Sequence, residues 1–436
     1  MLSTADNELL CRVEPGTPMN AAFKRYWLPA ALISDFPTPD SDPRRVTLLC
    51  EDYVLFRDSN GDMACLRDRC CHRGASLALG RVEDCGVRCI FHGWQFDKNG
   101  KILDLPNSTD ERLKERYRQP AFPTNEAGGM VWVYLGPKEE QPPFPNYHWL
   151  DYPEEQYFIQ PVVFRANYTQ VIDGGADSTH LTILHQDALR RGVDEENAGT
   201  RKRILADAAP EFDVEETEFG QFSVAIRKFE NQETGEVEEF ARLSAFIAPG
   251  TILVTGGRKG ASGWGVIVPM TSEVSVFWIG NFNDEYRGDD AKNMLKFMSI
   301  DDESLEILGN ARHNWHLPGK ADVHNNWMQN REKMRSGESF AGLMLFLPED
   351  IAVAESMGSI YDRTEENLVP QDIAVVKIRR ILLDAARDVA AGKRPIGVRN
   401  PVDTAEIYTR EAKLSPGQDW RDALIPDAFK KVSETA

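Results

Sequence analysis

The run Cys70-Cys71-His72 and, further on, Cys89-Ile90-Phe91-His92 spells C-x-H, sixteen intervening residues, then C-x-x-H. Both halves fall on loops between strand-like runs, so any metal they share must be assembled by the sheets around them. Those runs (VTLL, YVLF, MACL, VRCI, WQFD, KIL, MVWVYL) fill Val46 to Leu135. Asn60-Gly61 and Asn99-Gly100 lie between neighbouring runs and predict two β-hairpins, because Asn-Gly tolerates the positive φ of tight turns. Two thiolates and two imidazoles suit either a tetrahedral zinc or a [2Fe-2S] cluster in which histidines replace cysteines on one iron, and spacing alone does not decide. Seven cysteines is an odd number, which argues against a disulfide framework; Cys11, Cys50 and Cys65 read as small buried hydrophobes.

The Pro- and charge-rich stretch GPKEEQPPFP, Gly136 to Pro145, marks a domain boundary. Beyond it, residues 167–185 read as a helix and 218–282 as strands of one long antiparallel sheet. Gln371 to Ala391 reads as a helix with Ile373, Val376, Ile381 and Leu382 on one stripe. The fold class is therefore α+β: an N-terminal segment over 1–45, a small all-β domain over 46–140 and a larger domain over 141–436. A formal charge of −19 speaks against nucleic acid or an anionic bilayer as partner. An acidic N-terminus and the lack of any apolar run near ~18 residues predict a cytoplasmic protein.

The text around the first motif, from Cys70 to Leu77 and from Cys89 to Trp94, resembles the two ligand loops of Rieske proteins, which implies a [2Fe-2S] cluster on Cys70, His72, Cys89 and His92. Respiratory Rieske subunits bridge these loops with an extra cysteine pair; Ala75 and Phe91 stand there instead, as in soluble oxygenase systems. Cys71 departs from the usual Pro. It is read as a non-ligand, either a bystander or an oxidation liability.

An electron carrier needs a domain of only about 100 residues, so the long remainder must do something else. In NYTQVIDGGADSTHLTILH, Asp177, His180 and His185 form D-x-x-H-x4-H. Asp177 and His180 can share a helix face, but His180 and His185 sit ~140° apart on an ideal helix, so joint ligation requires a broken or bulged turn. Gly174-Gly175 weakens the helix just upstream. This run resembles the mononuclear iron motif of Rieske non-haem iron oxygenases. The resemblance implies a catalytic domain of helix-grip type and a site of two histidines and one carboxylate, His180, His185 and, from EDIAVAE, Asp350, with Glu349, Glu355 and Asp362 as alternatives. It further implies that Asp177 hydrogen-bonds His180 on one side and, across a subunit boundary, His92 on the other, in a homotrimer or stacked hexamer.

The opening Arg12 to Met19, Arg331, Met334, Ser339 to Gly342 and Glu355 to Gly358 resemble the phthalate dioxygenase branch. That branch implies hydroxylation or cis-dihydroxylation of a carboxylated aromatic by O₂, or O- or N-demethylation. Arg242 matches a position contacting a substrate carboxylate; the plainer reading is a strand arginine with a local partner. The absence of G-x-G-x-x-G after a strand implies that NAD(P)H acts only through a separate flavin and iron–sulfur reductase, with or without a ferredoxin. His148 reads as structural, and His313, His316 and His324 as a surface or core group. A bare electron carrier and a zinc-binding interaction module are the competing functions.

Overall fold

The computed structural model describes residues 1–191, 198–231, 234–255, 262–283, 286–309 and 319–430. The chain forms two compact units, Val13–Pro145 and a second made of Met1–Arg12 with Asn146–Ala436. The sequence boundaries at 45/46 and 140/141 differ from these for two physical reasons. Trp27–Leu32 enters a sheet of the smaller unit, and the Pro-rich stretch packs back onto that strand, with Trp27 Nε1–H donating to the Pro142 carbonyl and Phe144 edge-on to Trp27.

The smaller unit contains β1 (Trp27–Leu32), β2 (Arg44–Leu48), β3 (Glu51–Arg57), β4 (Met63–Arg67), β5 (Arg81–Glu83), β6 (Gly86–Arg88), β7 (Gln95–Asp97), β8 (Ile102–Asp104), β9 (Ala121–Phe122), β10 (Thr124–Ala127) and β11 (Met130–Tyr134). They form sheets ordered β1-β11-β10, β2-β3-β4-β9 and β5-β6-β7-β8. Val54, Phe56, Leu66, Leu77, Val87 and Phe96 share one core, and Cys70, Cys89 and Trp94 belong to it. These two cysteines are thus part of the hydrophobic interior, not appendages to it.

Both Asn-Gly sites turn hairpins, β3–β4 and β7–β8. Only the glycine takes positive φ, 86° at Gly61 and 76° at Gly100. Asp58 and Asp97 complete the turns by accepting main-chain N–H groups two and four residues on. At Gly100 a Cβ would lie 1.9 Å from the Gln119 carbonyl oxygen, whereas at Gly61 its nearest neighbour is Pro39 Cγ at 4.0 Å. Gly100→Ala is therefore expected to cost about 3 kcal/mol from overpacking plus a left-handed alanine. Gly61→Ala should cost about 1 kcal/mol from backbone strain alone. Denaturant midpoints check this; equal shifts would contradict it.

The larger unit is built on β12 (Tyr157–Phe164), β13 (Glu211–Glu216), β14 (Gly220–Glu230), β15 (Val237–Ile247), β16 (Thr251–Thr255), β17 (Ser262–Pro269), β18 (Ser275–Phe282) and β19 (Glu411–Leu414). The sheet is antiparallel in the order β12-β18-β17-β16-β15-β14-β13, with β19 also pairing with β15. The Ile373–Ala390 helix covers β13 and β14, and the Tyr168–Ala176 helix covers β16 to β18. The long helix buries Ala374, Val375, Ile378, Ile381, Leu382, Ala385 and Val389; of the predicted stripe, Ile381 and Leu382 are buried, Ile373 is half-buried and Val376 is exposed. Asp173, on the Tyr168–Ala176 helix, accepts from Arg363 Nη2 at 2.9 Å and from Arg379 Nη2 at 2.7 Å, pinning that helix from two sides. Arg363 also touches Cys11 Sγ, which is buried; Cys50 is only half-buried. Among the described residues no helix is long and apolar enough to cross a membrane.

Candidate metal centres

In the smaller unit, the two loops that carry the Cys and His pairs fold alike. Cys70 N–H donates to the Ala75 carbonyl at 2.8 Å and Gly74 N–H to the Cys70 carbonyl at 2.8 Å; Cys89 N–H donates to Trp94 at 2.8 Å and Gly93 N–H to Cys89 at 3.0 Å. Gly74 and Gly93 take φ of 76° and 75°, which the turn requires. The loops bring the His72 and His92 rings to 4.5 Å between centroids, and Trp94 stacks on His72 at 4.5 Å. Sequence reasoning did not mark Gln119: fully buried, it accepts from Cys71 N–H at 2.8 Å and donates to the Arg67 and Arg69 carbonyls, fixing the first loop. No motif announced it, because its partners are main-chain atoms some fifty residues away.

Burial pushes the Cys70 thiol up to about 12; the His72 backbone N–H opposes this, and the neighbouring Cys89 thiol adds to it. Two neighbouring cysteine side chains in a buried site are held together as thiolates only against a cation. His92 Nδ1 is buried and has no hydrogen-bond partner. A buried thiol pair and an unsatisfied imidazole nitrogen fit a cluster held by Cys70, His72, Cys89 and His92. Cys71 is exposed.

In the larger unit, Asn167 caps the Tyr168–Ala176 helix, which ends where Asp177 turns extended, with ψ of 130°. The predicted helix over 167–185 is thus two pieces, Tyr168–Ala176 and His180–Ile183, and a further helix, Gln186–Arg191, follows. Leu184 N–H donates to the His180 carbonyl and Leu189 N–H to that of His185, so the chain is re-set between the two histidines. Gly175 serves a different end from weakening the helix: a Cβ there would meet Ile252 Cδ1 at 2.6 Å.

This break lets His180 and His185 face each other at 5.0 Å between ring centroids. Asp350, on the Leu347–Ser356 helix, completes the group: its Oδ1 lies 3.1 Å from His185 Nε2 and 3.8 Å from His180 Nε2. One potential ligand atom from each of the three lies within 4.8 Å of the others. The opposite nitrogen of each ring is held by a second carboxylate, His180 Nδ1 by Asp177 Oδ2 at 3.1 Å and His185 Nδ1 by Glu349 Oε2 at 2.7 Å. With a proton kept at each Nδ1, release of any Nε2 proton would leave both Nε2 lone pairs turned toward Asp350, the arrangement a divalent iron requires of a two-histidine, one-carboxylate set.

Glu349 is fully buried, and burial raises its pKa against the bond to His185. Its Oε2 also accepts from Phe346 N–H. Phe346 starts the helix in a strained conformation (φ 65°, ψ −112°), and its ring stacks on His185 at 4.6 Å. Such strain costs about 1–3 kcal/mol and is sustained by that bond and stack. Glu355 instead accepts from Arg165 N–H and Trp327 Nε1–H, and Asp362 caps Thr364; neither belongs to the three-residue group.

Burial lowers the affinity of His185 for a proton, but the charge and hydrogen bonds of Asp350 and Glu349 outweigh it and raise its pKa to about 9. In metal-free protein this imidazole is protonated below that value, so ferrous binding must release its proton. Affinity is expected to fall about tenfold per pH unit on going down from pH 8 to pH 6. Ferrous titrations checked at each pH would contradict this if affinity were flat.

Asp177 also accepts from Thr179 N–H at 2.7 Å and His180 N–H at 3.1 Å. Burial raises its pKa, but the His180 and Thr179 contacts prevail and bring it down to about 2. Arg242, in β15, gives Nη2–H to the Thr255 carbonyl at 2.8 Å and Nε–H to Glu411 at 3.2 Å, its register partner on β19. His148 packs edge-on to Trp149 and Phe282; His324 is an exposed turn residue bonded to Asp322; His313 and His316 lie outside the described residues.

A cluster-binding β unit and a helix-covered sheet carrying two histidines and a carboxylate define an iron oxygenase that keeps electron storage apart from oxygen chemistry. Residues 26–122 match the Rieske [2Fe-2S] domain, and residues 133–435 match the family described as LigXa C-terminal domain like. The oxygenase subunit of phthalate 4,5-dioxygenase from Pseudomonas putida is 31% identical over 427 residues, covering 97% of this chain and 94% of that relative. That of 3-chlorobenzoate-3,4-dioxygenase from Comamonas testosteroni is also 31% identical, covering 97% and 98%. Among solved structures, Pseudomonas putida CBB5 NdmA QL mutant with caffeine shares the fold, with a TM-score of 0.60 at 17% identity over 92% of this chain and 100% of that one. The chain belongs to the Rieske non-haem iron oxygenases, as an oxygenase component. The family uses a [2Fe-2S] cluster and a mononuclear iron, with electrons from a separate reductase.

Proposed function

We propose that this oxygenase hydroxylates or cis-dihydroxylates a carboxylated aromatic compound. Its electrons come from a separate cytoplasmic NAD(P)H-dependent reductase with flavin and iron–sulfur centres, directly or through a ferredoxin. The observation that carries the reading is the convergence of His180 Nε2, His185 Nε2 and Asp350 Oδ1, each imidazole backed by its own carboxylate. Iron held there supplies O₂ activation beside bound substrate. The protein does the rest. Glu349 and Asp177 hold the two Nδ1 protons and so fix ring orientation, and Phe346 shields one face of His185 from water.

Asp177 is the electron bridge in this reading, joining His180 to His92 of a neighbouring copy in a trimer or stacked hexamer. Arg242 remains the candidate for the substrate carboxylate, through Nη1 alone, since Nε and Nη2 are engaged by Thr255 and Glu411. One relationship favours demethylation as the second reading: the 5,5'-dehydrodivanillate O-demethylase oxygenase subunit of a Sphingobium strain is 29% identical over 92% of this chain. Turnover of aromatic acids and their methyl ethers under ¹⁸O₂ separates the two. Label in a ring hydroxyl supports the proposal, formaldehyde release supports the second reading, and label drawn from water defeats both.

A further inference from the structure

Arg227, in β14, is fully buried, yet every hydrogen bond it makes goes to a neutral group: Nε to the Asp207 carbonyl at 3.3 Å, and Nη2 to the Ser178 carbonyl at 2.6 Å and to Ser178 Oγ at 3.2 Å. Its Nη1 is buried without any partner. Burial lowers its pKa, with the like charge of Arg242 adding to this and Asp207 and Asp177 opposing it; at about 10 it still leaves the group charged near neutrality. A buried guanidinium without a carboxylate partner is costly, so its placement calls for a reason beyond packing.

The peptide it grips supplies one. The Ser178 carbonyl and the Thr179 N–H belong to the same peptide plane, and that N–H donates to Asp177 Oδ1 at 2.7 Å. A cationic donor on the carbonyl orients the plane and strengthens the N–H on its far side as a donor. A continuous path then runs from the Arg227 guanidinium, through the Ser178–Thr179 peptide, to the Asp177 carboxylate and on to His180 Nδ1 at 3.1 Å.

We infer that Arg227 is a positioning residue for the Asp177 bridge, holding its carboxylate against His180 by clamping and polarising the Ser178–Thr179 peptide. The inference rests on the reading of Asp177 as the electron bridge, and a parallel Asp177→Asn variant separates the two. In metal-free protein, Arg227→Met should raise amide hydrogen exchange at Thr179 and His180 about tenfold, with exchange along the Ile373–Ala390 helix unchanged. In loaded protein it should slow single-turnover reoxidation of the reduced cluster about tenfold at unchanged iron content, and Arg227→Lys, which restores a cationic donor to the Ser178 carbonyl, should recover most of the rate. Wild-type exchange and reoxidation in Arg227→Met, or a rate loss that only follows iron loss, would overturn the inference. Wild-type reoxidation in Asp177→Asn would instead overturn the bridge. Should Arg227→Met not fold, Arg227→Gln, which keeps an N–H for the carbonyl but no charge, takes its place with the same readouts and the same overturning results.

Discussion

Asp177→Asn is expected to leave both metal centres loaded and to lower turnover about 100-fold, the upper end for removing the partner of a metal-ligating imidazole. The pKa of Asp177 is depressed to about 2, so its carboxylate is charged throughout the working pH range and the substitution removes a full charge. Asparagine can still accept from Thr179 N–H, which preserves the break between the two short helices. What it loses is the anion facing His180 Nδ1 at 3.1 Å. The effect therefore belongs in the step between cluster and iron. Rapid mixing of pre-reduced protein with O₂ and substrate should show slow cluster reoxidation; a rate near that of the wild type would contradict the role given to Asp177.

Asp350→Ala is expected to be more severe, with no retained mononuclear iron and no detectable product. It removes the one acidic member of the group, and two neutral imidazoles alone are a poor site for a hard divalent ion. Glu349→Gln should keep the iron with about 10- to 100-fold weaker affinity, because it loosens His185 without deleting a ligand. Glu355→Gln should keep it fully, because that carboxylate is engaged by Arg165 and Trp327. Ferrous titration and product analysis on the three variants test the ordering. Iron retained in Asp350→Ala but lost in Glu349→Gln would move the ligand by one residue.

The cysteines and histidines gathered at each centre were legible because their chemistry is rare and their spacing local, whereas Asp350, far along the chain, was reached only through the family resemblance of EDIAVAE. Cys70, His72, Cys89 and His92 lie on two turns of one small unit, and His180 and His185 are five residues apart. The strands over 218–282 and the helix near 371–391 were legible from periodicity. The supporting residues were not. Gln119 reaches Cys71, Arg67 and Arg69, and Glu349 reaches His185, through hydrogen bonds to residues far along the chain, which leave no periodic trace. Arg227 sits in a strand whose two faces are both buried, so alternation gives no sign that an arginine there lacks solvent. Val376 was misplaced because one apolar residue on an exposed face fits a stripe drawn by hydrophobicity as well as a buried one does. β19 pairs with β15 across some 170 residues of chain, a register that no local pattern encodes.

One chain is expected to hold a two-iron cluster and a separate single iron. Iron and acid-labile sulfide measured on anaerobically purified, ferrous-reconstituted protein test it most directly. Three irons to two sulfides per chain are expected, from one [2Fe-2S] cluster plus one mononuclear site. Two irons to two sulfides, unchanged by added ferrous ion, would contradict it.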